Sequence, residues 1–260
     1  MAEGRGSQQT PGEFRRTQNW IGGTRPGTAR FVPPPVPDML AALDNLERFL
    51  DDEPTRAAAP LVKAGHAHAQ FETIHPFLDG NGRVGRLLIT CVLHAERVLT
   101  QSVLYLSLYF RQRRGEYYDA LQRVRTDGGW EGWLGFYLEG VAAVAREAAD
   151  TARSLLDLEA RDRARVQGLG KGAASALAVF DLLRQRVVTS IARAAEATTL
   201  TIPTVTAALG RLQALGIVRE TTGKRYGRQF VYGAQLDLLD HGLGATDVTP
   251  TDEADDGRRA

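Results

Sequence analysis

Within twelve residues, His75-Pro-Phe-Leu-Asp-Gly-Asn-Gly-Arg-Val-Gly-Arg86 gathers an imidazole, a carboxylate, closely spaced glycines and two guanidiniums. Each of these suits phosphate chemistry. Glycines let the backbone turn so that the amides of Gly80, Asn81 and Gly82 point inward as an anion-binding nest. A helix predicted to start there aims its positive end into the same space. Arg83 and Arg86 fall in its first turn, where cations oppose the helix dipole unless something negative is bound. Side chains lean toward a helix N-terminus, so both guanidiniums can reach back over the loop. Asp79 adds one carboxylate, enough for a Mg²⁺ that takes its other ligands from phosphate oxygens and water. His75, with an ordinary pKa of about 6.5, can accept a proton near neutrality and is the candidate general base. Together these residues describe a polyphosphate site.

The segments that must position this loop are largely helical. Met39, Leu40, Leu43, Leu46 and Leu50 repeat at the helical period, and Ala64 to Ile74 continues in helix formers. After the loop, Val84, Leu87, Leu88, Cys91 and Val92 form a stripe expected to face a core, with Cys91 inside it. Further helices are predicted over about 102–126, 130–149 and 150–166. Ahead of all these, Gln18-Asn-Trp-Ile-Gly-Gly23 and Ala29-Arg-Phe-Val-Pro-Pro-Pro35 read as extended, because their prolines disfavour helix. His66 and His68 stand two apart on a predicted helix, a poor metal geometry. His68 does share a face with Glu72, and a structural role is expected for it. Trp130 and Trp133 are expected to pack, and Arg111, Arg113 and Arg114 to lie on the surface.

Charge divides the chain further. Residues 1–169 hold twenty-one Lys+Arg and twenty-one Asp+Glu. Residues 170–233 hold nine against three, and 234–260 two against seven, so a neutral body is followed by a basic module and an acidic tail. Gln167 to Gly172 reads as a linker, followed by helices at about 173–185, 188–196 and 202–215, the last capped by Thr201. Ile217 to Tyr232 reads as a hairpin with Gly223-Lys224 near its tip. Three helices and a hairpin predict a winged helix-turn-helix. The resulting division is a flexible leader at 1–12, a main domain at 13–166, the winged helix at 170–240 and a disordered acidic tail at 241–260. A single cysteine, no membrane-length apolar run and no apolar leader segment fit a cytoplasmic protein without a membrane span.

The loop resembles the Fic (Fic/DOC) family motif, His-Pro-Phe-x-Asp/Glu-Gly-Asn-Gly-Arg-x-x-Arg, with every fixed position present. The resemblance extends to Gly12-Glu-Phe-Arg-Arg-x-Gln-Asn-Trp-Ile-Gly-Gly23, Tyr117-Tyr118 and the winged helix. It implies a mostly α Fic-type domain with a short β-hairpin flap, plus the small C-terminal domain. It also implies protein adenylylation, in which AMP passes from ATP to a Ser, Thr or Tyr hydroxyl and pyrophosphate leaves. His75 would be the base and Asp79 the Mg²⁺ ligand. The Gly80–Gly82 backbone, Arg83 and Arg86 would bind ATP, with Tyr117 and Tyr118 bordering its base or ribose. Phe77 would anchor the loop to the core. Ile21, Gly22 and Gly23, with Arg30–Val32, would form a flap that pairs with the target.

Relatives that alter the chemistry change the loop glycine, whereas Gly82 keeps the adenylylating form. Many relatives carry an inhibitory Ser/Thr-x-x-x-Glu-Gly/Asn helix. Thr249–Glu253 has half of that pattern, and reversal of the reaction, which uses the same glutamate, is not expected. Partners implied are a target protein, the chain itself by self-modification, or a second copy in a homodimer. A DNA-binding regulator with a nucleotide-sensing or inactive Fic domain is the other reading. Its phosphate contacts would come from Arg211, Arg219, Lys224, Arg225 and Arg228. Thr, Val, Ala and Leu dominate the helix from Thr201, which suits a dimer or protein contact as well.

Overall fold

A computed structural model describes residues 12–51, 59–101, 105–224 and 227–242. Readings that fell on the leader, Arg225, Thr249–Glu253 and the acidic tail beyond 242 lie outside the described residues. The described residues fall into two compact units, one ending at Ala145 and the other beginning at Arg146. The fold is mostly α.

The first unit is built on α1 (Val36–Asp51), α2 (Pro60–Ile74), α3 (Asn81–Ala95), α4 (Leu106–Gln112), α5 (Arg114–Asp127) and the first part of α6 (Trp130–Gln167). Met39, Ile74, Ile89, Leu93, Leu121 and Trp133 are among the side chains that close its core. Helix α2 runs through the middle because its small residues admit neighbours. At Gly65 a β-carbon would meet Tyr137 at 2.8 Å and Leu134 at 3.1 Å. That approach lets the Trp133 indole donate to the Gly65 carbonyl at 2.9 Å, satisfying the one polar atom of a fully buried ring.

Three expectations are corrected here. The helix predicted over 102–126 is broken at Arg113, whose backbone (φ −112°, ψ 39°) leaves the helical region between α4 and α5. The helices predicted at 130–149 and 150–166 are one. No proline interrupts Trp130–Gln167, and glycine is confined to positions 132, 135 and 140. The third concerns α3, which is rotated from the face its hydropathy suggests. Asn81, Gly85, Ile89, Val92 and Leu93 are buried, while Val84 and Cys91 are exposed and Leu87 is 60% exposed. Gly85 explains the rotation, since a β-carbon there would meet Glu72 Oε1 at 2.6 Å and the His68 ring at 3.2 Å. The helix presses its smallest residues against α2, and close backbone approach outweighs the apolar stripe.

The second unit takes the C-terminal part of α6, then α7 (Ala173–Arg186), β1 (Val188–Ser190), α8 (Ile191–Thr198), α9 (Ile202–Ala214), β2 (Val218–Glu220), β3 (Gln229–Tyr232) and α10 (Gly233–Gly242). The strands form an antiparallel sheet in the order β1-β3-β2, pairing Thr189 with Phe230 and Arg219 with Val231. β1 replaces the first turn of the helix expected at 188–196. The β-branched Val187-Val188-Thr189 run favours strand, and Ser190 then caps α8 through the Arg193 amide. Thr201 caps α9, with a proline in its first turn. Leu158 and Val166 of α6 join Phe180, Leu183, Leu209 and Phe230 in one core. Asp162, almost fully buried, accepts the Tyr232 hydroxyl at 2.9 Å on Oδ2 and Arg165 at 2.9 Å on Oδ1.

Two substitutions test these packings. Gly65→Ala is expected to lower unfolding stability by about 1–3 kcal/mol through overpacking against Tyr137, read as a lower urea midpoint. Tyr232→Phe leaves a buried carboxylate oxygen short of its donor and is expected to cost about 1–3 kcal/mol in the same measurement.

Candidate active site

The loop between α2 and α3 opens on a strained residue. His75 caps α2 in the left-handed region (φ 48°, ψ 60°), its amide still bonded to the Phe71 carbonyl at 2.9 Å. A side chain at such angles persists when its surroundings over-determine it, and here the N-terminal segment does so. Arg15, 1% exposed, donates from Nε to the His75 carbonyl at 3.0 Å, and its amide donates to the Pro76 carbonyl at 2.8 Å. Asn19 Nδ2 donates to the Phe77 carbonyl at 3.1 Å. Three consecutive carbonyls are thus held from one strap. The strap is itself fixed by Arg15 on the Pro34 carbonyl and Gln18 on the Pro33 carbonyl, so the proline run serves as an anchor.

Asn81 braces the loop from the other side. Its side chain is buried, accepting from the Phe77 amide at 2.9 Å and donating to the Phe77 carbonyl at 2.7 Å. This leaves only its backbone amide for a ligand. Gly80 sits at φ 85° as the N-cap of α3 without a side-chain cap, so the first-turn amides present the positive helix end to the loop. Phe77 packs at the edge of the core against Phe14 and Phe71. Arg83 and Arg86 fold back as their positions imply. A β-carbon at Gly80 would meet the Arg83 guanidinium at 3.4 Å, and one at Gly82 would meet that of Arg86 at 3.2 Å. Asp79 is half exposed, accepts the Gly80 amide at 2.7 Å, and has Oδ2 3.7 Å from Arg83. Among the described residues no three His, Cys, Asp or Glu side chains gather as a metal site. A single exposed carboxylate beside an anion nest fits Mg²⁺ held jointly with phosphates, and does not fit a cation caged by protein alone.

His75 is 5% exposed. Burial, then the Arg125 and Arg15 charges, lower its pKa to about 3, against the opposing pull of the Glu72 backbone carbonyl as an acceptor. His68 is driven to about 4 mainly by burial, with Arg86 adding to it and the Gly85 backbone opposing. Its Nε2 lies 2.9 Å from the Tyr117 hydroxyl.

Tyr117 is therefore a core residue, stacked on Phe110 at 4.8 Å and 4% exposed. Its hydroxyl meets His68 beneath the loop. Tyr118 is half-buried, under the Arg114 guanidinium. The expected flap is a single antiparallel bridge, Ile21 to Phe31. Ile21 turns inward and is buried, while Gly23 is exposed. Gly23 (φ 80°) lies so near the Thr28 carbonyl that no β-carbon would fit.

Sequence reasoning missed Arg15, Asn19 and Arg125 as supports. Glu72 and His68 were visible at i, i+4, and both are buried beneath α3. His66 bonds the Val62 carbonyl through Nδ1 and stacks near Trp130, a structural role.

The proposed nucleic-acid contacts are mostly engaged elsewhere. Arg211 lies against Gly172, Arg219 pairs with Asp237 at 3.0 Å, and Arg228 covers the Phe230 ring. Lys224 is exposed, and α9 exposes Ile202, Pro203, Thr206, Ala207, Gly210 and Gln213. No helix among the described residues is long and apolar enough to cross a membrane.

Residues 2–93 match the model of the Fic/DOC family. The chain is 40% identical over 82 residues to "Protein adenylyltransferase Fic" of Drosophila persimilis and of Drosophila grimshawi. The matched stretch is 32% of this chain and 15–16% of theirs, so the chain spans a small part of those relatives' length. A crystal structure of a Fic family protein from Desulfovibrio desulfuricans G20 aligns with TM-score 0.48 and 22% identity, covering 85% of this chain and 62% of that one. Over residues 2–93, which include the loop, the chain is thus similar to the Fic/DOC family.

Proposed function

We propose that this chain is a protein adenylyltransferase that moves AMP from ATP to a Ser, Thr or Tyr hydroxyl of a target protein. One observation carries the reading: a buried His75 is fixed across a braced loop from the amide end of α3, with Arg83 and Arg86 folded over that end. His75 takes the proton from the attacking hydroxyl. The hydroxyl oxygen bonds to the α-phosphorus as the bond to the bridging oxygen breaks, and the electron pair leaves on pyrophosphate. The Gly80–Gly82 amides stabilise the transferring phosphate. Arg83 and Arg86 neutralise the departing pyrophosphate, electrostatic positioning being the main lever in phosphoryl chemistry. Asp79 would hold Mg²⁺, which supplies charge neutralisation on the phosphates when bound. The paired Ile21 and Phe31 strand segments offer backbone for an extended target.

The exposed face of α9 has little to contact a phosphate or a guanine edge. The small unit is accordingly read as a recruiting or dimerising module, and self-modification is a natural first assay. A cytoplasmic setting completes the reading.

With α-labelled ATP, Mg²⁺ and a cell extract, labelled protein bands are expected from the native chain. His75→Ala should reduce the labelling by roughly 10²-fold or more, with circular dichroism unchanged. Labelling that survives His75→Ala would refute the assignment.

The pH profile makes a second check. His75 protonates only as pH falls toward about 3, so the base form dominates at all higher pH. The kcat/KM for transfer should show no acid limb with a midpoint at about 6.5, the ordinary histidine value. A limb at that midpoint would show that the free protein does not hold its base as described.

A further inference from the structure

Arg125 of α5 makes contacts that the proposed mechanism does not use. Its Nη2 donates to the Glu72 carbonyl at 2.9 Å and its Nε to Thr73 Oγ1 at 3.4 Å. The same guanidinium lies over the Phe31 ring, 4.2 Å from the centroid. Glu72 and Thr73 form the last turn of α2, which closes at the His75 amide. Phe31 is the outer partner of the Ile21–Phe31 bridge, accepting the Ile21 amide at 2.8 Å. Next to Phe31, Arg30 pairs with Asp119, also on α5. One helix therefore grips the flap at two adjacent residues and the end of α2 at two more.

The chemistry of the group suits this double role. A guanidinium is planar, so its edge donates hydrogen bonds while its face covers an aromatic ring. A lysine ammonium has no such division between face and edge. A cation is also favoured at a helix C-terminus, where the carbonyls carry the negative end of the dipole. Left-handed geometry at His75 needs such reinforcement.

We propose that Arg125 is a positioning residue that ties the flap to the last turn of α2, so that a disturbance at Phe31 is felt at His75. The proposal deepens the reading of His75 as the base and of the Ile21–Phe31 pair as the target-docking flap. It places the docking strand and the base under one side chain, so that seating an extended target segment and orienting the base are linked.

The test is residue-resolved amide hydrogen exchange on the full chain, without nucleotide or acceptor. Arg125→Ala is expected to quicken exchange of both the Ile21 and the His75 amides by roughly two- to tenfold, the scale of one cation–π contact. Phe31→Ala removes only the flap side of the contact, yet it should quicken the His75 amide as well. Arg125→Lys keeps the charge without the fork and should resemble Arg125→Ala. The Leu93 amide, in the core, should hold its native rate in all three.

The proposal is overturned if Phe31→Ala speeds Ile21 but leaves His75 at its native rate, or if Arg125→Lys preserves both rates. These readouts need no transfer. A chain with coupled exchange that labels no protein would refute the adenylyltransferase reading alone. A chain that labels protein while its exchange is uncoupled would refute the positioning role alone.

Discussion

A helix that ends on a residue with a β-carbon in the left-handed region is held there by what surrounds it, and at His75 four holding residues come from three directions. Arg15 and Asn19 reach in from the N-terminal strap, Asn81 from the start of α3, and Arg125 from α5. Each takes a backbone carbonyl of the stretch 72–77. The carbonyls of a helix end and of a tight loop have no regular partner, and a buried one without a donor is costly. The same bonds that satisfy them therefore aim the imidazole. Arg15 and Arg125 also add positive charge beside it, which together with burial keeps the ring neutral.

The second constraint is the approach of α3 to α2. Gly85 admits Glu72 and His68 beneath the helix, and Gly82 and Gly80 admit the guanidiniums above the loop. Arg86 lies near enough to His68 and Tyr117 to bear on both. The buried His68–Tyr117 pair, stacked among Phe110 and Trp133, forms the floor on which the first turn of α3 stands. In that floor His68 Nε2 and the Tyr117 hydroxyl satisfy each other, while Nδ1 lies under Gly85.

The residues of the candidate loop could be picked out from the sequence because their types are unusual together and close in the chain. Its supports could not. Arg15 and Arg125 lie 60 and 50 residues from His75, and nothing local distinguishes a buried arginine from a solvated one. Hydropathy misassigned the inner face of α3 because Gly85, which carries no apolar side chain to score, makes a contact with α2 that a larger residue cannot make. The missed strand at Val188 and the unbroken α6 are failures of a different kind. Three β-branched or small residues are too few to show a period, and an alanine-rich helix carries no internal stop whether it serves one core or two. By contrast, the cap at Thr201 was readable, since a hydroxyl before proline has a local mechanism.

Because α3 is turned away from its apolar stripe, the chain's one thiol, Cys91, faces outward. It stands ten residues beyond Asn81 on the same helix, which is about 15 Å along the axis. A maleimide dye or spin label can therefore be attached at a single site without engineering other cysteines away. It would ride on the rod whose opposite end carries the loop from His75 to Gly80, close enough for a spectroscopic ruler.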